Sequence, residues 1–183
     1  AETIRQFLRG PAANATRKKI SIVAVAGVKD HFARSTSPDG IPWAPLLMRA
    51  GKPLLDTGRM RDSTVATVTD DGVTLSNNNI QSSVHQFGAT ITPKRGKYLA
   101  IPLTPTARRA GSPRNVDGLH FQGKKGGKGG VLADGKGQAV FALVPSVTIK
   151  ARPFLGFSEA TLAKTERIIV DDLRKVLESG NGG

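Results

Sequence analysis

Helical periodicity is confined to the two ends of this chain, and that placement limits the possible folds more than any other feature. From about Asn14 to Ser35, the residues Ile20, Val23, Ala24, Val28, His31 and Phe32 recur at three- and four-residue steps and make one apolar stripe. Gly27 falls on the same stripe. It costs a helix about 1 kcal/mol relative to alanine, but it lets another element approach closely. Asn14 or Thr16 is placed to cap the start. Ser37-Pro38-Asp39-Gly40 ends the run, because proline and glycine do not continue the hydrogen-bond ladder cheaply. The second helix spans Glu159 to about Glu178. Ser158 caps it, Leu162, Ile169, Leu173, Val176 and Leu177 supply its apolar face, and Gly180 terminates it.

The middle reads differently. Residues 38–60 are rich in proline and form an irregular, ordered connection that Trp43 anchors on the core. Residues 61–68 and 73–77 alternate apolar and polar side chains around Asp70-Asp71-Gly72, a hairpin signal. Residues 80–88 suit a short helix or a turn, and residues 97–103 and 138–149 suit strands. Between these last two lies a segment from about Thr104 to Lys136. Its residues 111–137 hold nine glycines in 27 positions, with five Lys/Arg and few apolar side chains. Such composition buries too little surface to offset chain entropy. The expectation is a β-hairpin with a long, basic, mobile loop over 104–136. Residues 1–12 read as an N-terminal arm and 179–183 as a flexible tail, all within a single domain of 183 residues.

The net charge of +13 is unevenly distributed. Residues 72–157 carry 12 Lys/Arg against only Asp117 and Asp134, whereas residues 158–183 carry 4 Lys/Arg and 5 acids. A polyanion or an acidic protein surface is the implied neighbour. Cysteine is absent, which excludes disulfides and thiolate metal sites. No apolar run reaches the roughly 18 residues of a membrane span, and the N-terminus shows no secretory h-region. A soluble protein assembled in a cytoplasm is expected.

Enzymatic and cofactor readings find little support. Gly118-Leu-His-Phe-Gln-Gly-Lys124 satisfies most of the phosphate-loop pattern G-x-x-x-x-G-K. Lys125 stands where a Mg²⁺-binding Ser or Thr belongs, and the glycines that follow do not start a helix. The three histidines, His31, His85 and His120, lie in different elements without metal-ligand spacing. His85 suits a local hydrogen bond. There is no nucleophile elbow, and the four glutamates sit near the chain ends. No catalysis, cofactor or metal is expected. Arg108, Arg109, Arg114, Lys124, Lys125, Lys128 and Lys136 suit contacts with phosphates or an acidic partner, with little sequence preference. Only Phe121 offers a stacking ring within that segment.

Four blocks, read in order, carry a family resemblance: Pro38-Asp-Gly-Ile-Pro-Trp-Ala-Pro-Leu46, Leu55-Asp-Thr-Gly-Arg-Met-Arg-Asp-Ser63, Val84-His-Gln-Phe-Gly-Ala89 and Ile149-Lys-Ala-Arg-Pro-Phe-Leu-Gly156. The set resembles the phage virion morphogenesis (tail-completion) family of tailed bacteriophages, of the Mu-like G protein type, over roughly residues 15–178. The resemblance implies an α+β fold, an antiparallel β-sheet packed by two main α-helices. It implies a non-catalytic neck protein forming a homo-oligomeric ring, a hexamer, at the head–tail junction of the virion. Its partners would be neck, connector or tail-tube proteins, with transient contact to genomic DNA in the lumen. A tail terminator capping the tail tube is the alternative, and a non-specific DNA-binding module a second. Residues 104–136 depart from the family pattern by their length and glycine content.

The residues of these blocks also have architectural readings. In Arg152-Pro153-Phe154-Leu155-Gly156 the proline ends a strand, Phe154 and Leu155 enter the core, and Gly156 permits the turn to the last helix. Asp56 or Thr57, beside Gly58, suits a turn that launches the first hairpin. His85, ahead of Gly88, suits packing on the sheet or contact with a neighbouring subunit.

Overall fold

The structure is a computed structural model and describes residues 10–46, 50–124 and 126–180. Residues 1–9 of the expected arm, Lys125, and residues 181–183 of the expected tail lie outside the described residues. The chain is α+β with antiparallel pairing throughout. It divides into two compact units: residues up to Phe87 together with those from Ala151, and Gly88–Lys150.

In the first unit, helix α1 spans Pro11–Arg34. It starts three residues before the expected point because Pro11 occupies its first turn. Proline is favoured there, since its missing N–H is one of the orphan donors anyway. Ser35, with φ 58°, closes the helix and donates its N–H to the His31 carbonyl. The Ser37–Gly40 turn follows, with Gly40 N–H bonded to Ser37 O at 2.9 Å. Short helix α2 (Arg59–Asp62) leads into β1 (Thr64–Thr69) and β2 (Gly72–Asn77), which pair as the expected hairpin, Val68 opposite Val73. Helix α3 (Ser82–Phe87) ends this half. The core joins Val28 and Phe32 of α1 to Trp43, Met60 and Phe154, with Leu54, Leu55, Leu75 and Leu155 around them. Phe32 and Phe154 are fully buried, each contributing about 1.5–3 kcal/mol.

In the second unit, β3 (Ala89–Ile91) pairs with β8 (Val147–Ile149). A four-stranded sheet runs in the order β4 (Leu99–Pro102), β7 (Ala139–Val144), β6 (Gly130–Ala133), β5 (His120–Gly123). With the β1–β2 hairpin this makes three sheets where one was expected. Part of the reason lies at Pro145, which has no N–H to carry the ladder from β7 on to β8.

The expected mobile loop over 104–136 is largely folded. Thr104 caps helix α4 (Pro105–Ala110), its hydroxyl accepting from Ala107 N–H at 3.1 Å. Gly111, with φ 70°, ends the helix, and a 3-10 turn follows at Pro113–Asn115. Strands β5 and β6 then add to β7. A small core of Ala107, Val140 and Phe141 takes in Val116, Leu119 and Leu132 from this segment. Composition hid this because a few apolar side chains suffice when β7 supplies a ready template. The glycines serve close approach: a Cβ on Gly129 would strike the Leu143 carbonyl, and one on Gly130 the Gln122 carbonyl.

Helix α5 (Glu159–Gly180) begins at the Ser158 cap, whose hydroxyl accepts from Thr161 N–H at 3.3 Å. Its packing corrects the sequence reading. Thr161, buried under Gly27, and Asp172, bonded to Thr16 and Lys19, are the residues that meet α1. Leu162, Ile169 and Leu177 stay exposed at 53, 37 and 46%. The α1 surface here is small and polar, so the pair closes on the polar side of α5.

Candidate functional site

The family-type blocks converge in the first unit on one peptide segment, Arg152–Gly156. Trp43 stands edge-on to Phe32, ring centroids 5.6 Å apart, and donates its indole N–H to Pro153 O at 2.9 Å. Phe154 packs on Phe32 at 5.2 Å, and its carbonyl lies 2.9 Å from His31 Nδ1. The Arg152 guanidinium donates twice to Ala44 O, at 3.1 and 3.0 Å, and Arg152 N–H donates to His85 O at 2.6 Å. Gly156 lies against Pro38, whose Cγ would sit 2.7 Å from a Cβ at that position. Gly58, with φ 78°, opens α2, and the exposed Asp56 stands just ahead of it. Gly88, with φ 73°, follows α3.

The residue missing from the sequence-derived set is Gln86. Its Oε1 accepts from both Phe154 N–H and Leu155 N–H, at 2.9 and 3.0 Å, and its Nε2 donates to Leu155 O at 3.2 Å. One amide thus satisfies three backbone groups of a segment that has left the sheets. The signal was present in the His-Gln-x-Gly spacing, but a glutamine carries no charge to mark it. His31, on the apolar stripe of α1, is buried and bridges to the Phe154 carbonyl.

The expected local hydrogen bond of the His85 ring is not found among the described residues: its Nδ1 is buried without a partner there, as is Nε2 of His31. Burial, and then the nearby Arg152 charge, push the His85 imidazole below its ordinary pKa of 6.5. Asp172 is also lowered, first by the hydrogen bond from Lys19 and then by that from Thr16. Among the described residues, no group of three or more His, Asp or Glu is placed to hold a metal ion.

The sequence-derived basic residues lie in the second unit and do not form one cluster. Lys124 and Lys128 flank the β5–β6 turn. Antiparallel register carries that turn to the end of the sheet where β7 finishes, Gly130 facing Leu143. Lys136 sits in the β6–β7 turn at the other end, where Asp134 accepts from Lys136 N–H and Gln138 N–H, both at 2.9 Å. Arg108 and Arg109 on α4 follow β4 at that same end, and Arg114 lies on the 3-10 turn. All six are exposed. The residues resembling a phosphate loop form strand β5 and its turn, with Gly123 paired to Gly130. Such a ladder does not gather backbone N–H groups into a cradle.

Among the described residues no helix is long and apolar enough to cross a membrane. No curated protein and no solved structure matches the chain. The sequence model of the phage virion morphogenesis family matches residues 6–177 and includes all four blocks. The chain therefore belongs to the phage virion morphogenesis family, and its role is a structural or morphogenetic one in the phage virion.

Proposed function

We propose that the chain is a non-enzymatic neck or tail-completion protein, assembling as a ring of six copies at the head–tail junction, with DNA passing through its lumen. Its neighbours in this reading are connector, neck and tail-tube proteins. Family membership supports the general role. The observation that carries the finer reading is the unneutralised charge of residues 88–150. This unit holds eleven Lys/Arg against Asp117 and Asp134. None of its described basic residues makes an ion pair, whereas Lys19, Arg34 and Arg61 of the first unit do. Charge left unpaired within a subunit favours a polyanion or an acidic surface outside it.

Deleting the gene tests the assignment. Heads and normal-length tails that fail to join are the expected outcome. Overlong tails would make the protein a terminator that caps the tail tube. A bare DNA-binding module would instead bind duplex tightly and lose that affinity steeply with salt.

A further inference from the structure

We propose that the outer face of α5 docks on the β5–β6 hairpin of a second copy of this chain, so that copies join head to tail. An amphipathic helix ordinarily turns its apolar stripe to the core. Here the inward side follows buried Thr161 and half-buried Thr165, Ile168, Asp172 and Val176, while exposed Leu162, Ile169 and Leu177, with half-buried Leu173 between them, run one residue further round. Leu162 and Leu177 are about half exposed, and Val170 beside them is 45% exposed. A contiguous apolar strip left outside a fold marks an interaction surface.

Charge names the occupant. Glu159 and Glu166 lie on the strip, and neither makes an ion pair among the described residues. They are two of the four glutamates in the chain. The complementary surface exists on the same chain. Phe121 is 57% exposed on β5, an edge strand whose outer side pairs with no other strand among the described residues. Its ring lies beside Gly123 and Gly130, which together with Lys124, Lys128, Leu143 and Val144 line a recess of about 360 Å³. An acid-edged apolar strip and a base-edged aromatic patch on different parts of one subunit make a heterologous contact, the kind that generates rings.

This inference rests on the ring reading, and the two fail separately. The chain contains no cysteine, so introduced thiols report alone. Phage particles carrying Phe121→Cys with Ile169→Cys are treated with a short bismaleimide and run on a denaturing gel. The expected result is a ladder of covalent multimers, with each single variant giving monomer. Absence of the ladder, a dimer from Ile169→Cys alone, or conjugates only to other proteins overturns the docking proposal and leaves the ring intact. Particles that lack the chain defeat the ring reading. Concentrated purified protein then decides the docking, by ladder or its absence. A charge swap adds a second check: Glu166→Lys should abolish the ladder and Lys128→Glu should restore it, and failure to restore it contradicts the pairing.

Discussion

The two units use their polar and charged groups in opposite ways. In the first unit, Trp43, His31, Gln86 and Arg152 all turn inward and hold Arg152–Leu155 in place. Cations there sit beside carboxylates, as Lys19 does beside Asp172 at 2.7 Å. In the second, the small core of Ala107, Val140 and Phe141 supports a sheet, and none of the unit's described basic side chains makes an ion pair. A family motif is thus a poor guide to where such a protein makes contact. The motif residues build the scaffold, and the surface proposed above to meet partners includes a segment without motif.

Substitutions that separate folding from assembly sharpen the contrast. The largest folding loss is expected for Phe154→Ala, about 3–5 kcal/mol, read as a fall in melting temperature or denaturant midpoint. Gln86→Ala should come next, at about 2 kcal/mol, because it strands Phe154 N–H and Leu155 N–H. Gly27→Ala sets two effects against each other. Helix propensity favours it by about 1 kcal/mol, but the new Cβ meets Thr161 Oγ1. The clash should win, and the sign should reverse when Thr161→Ala is already present.

A smaller effect follows from His85. Its imidazole is held below 6.5 in the fold, so the unfolded chain binds the proton more readily. Stability should be full above that value and fall as pH drops through it, and His85→Gln should flatten the profile. The smallest folding effect belongs to Lys124→Ser with Lys128→Ser, within about 0.5 kcal/mol. Infectivity should nonetheless drop. A large folding loss from that pair, or full infectivity with it, would remove the distinction between the units.

Much of the first unit was legible in the sequence. The stripe Val28–His31–Phe32 is buried as its spacing requires, the β1–β2 hairpin forms around Asp71-Gly72, and Ser158 caps the last helix. Trp43 and Phe154 stand where their blocks placed them. The misreadings share a cause, which is that the partner surface decides. Periodicity marked the apolar side of α5 but could not say that α1 offers it Thr16, Lys19 and Gly27. Composition marked 111–137 as loose but could not count the template that β7 provides. The six described basic residues are all exposed, but they are not one group. Only strand register divided them between the two ends of the sheet, Lys124 and Lys128 at one and Arg108, Arg109 and Lys136 at the other.

The most direct measurement is an electron-microscopy map of the head–tail junction of particles carrying this chain. The proposed function predicts a closed ring of copies around the DNA path between connector and tail tube. Purified, infectious particles without the protein at that junction would contradict it.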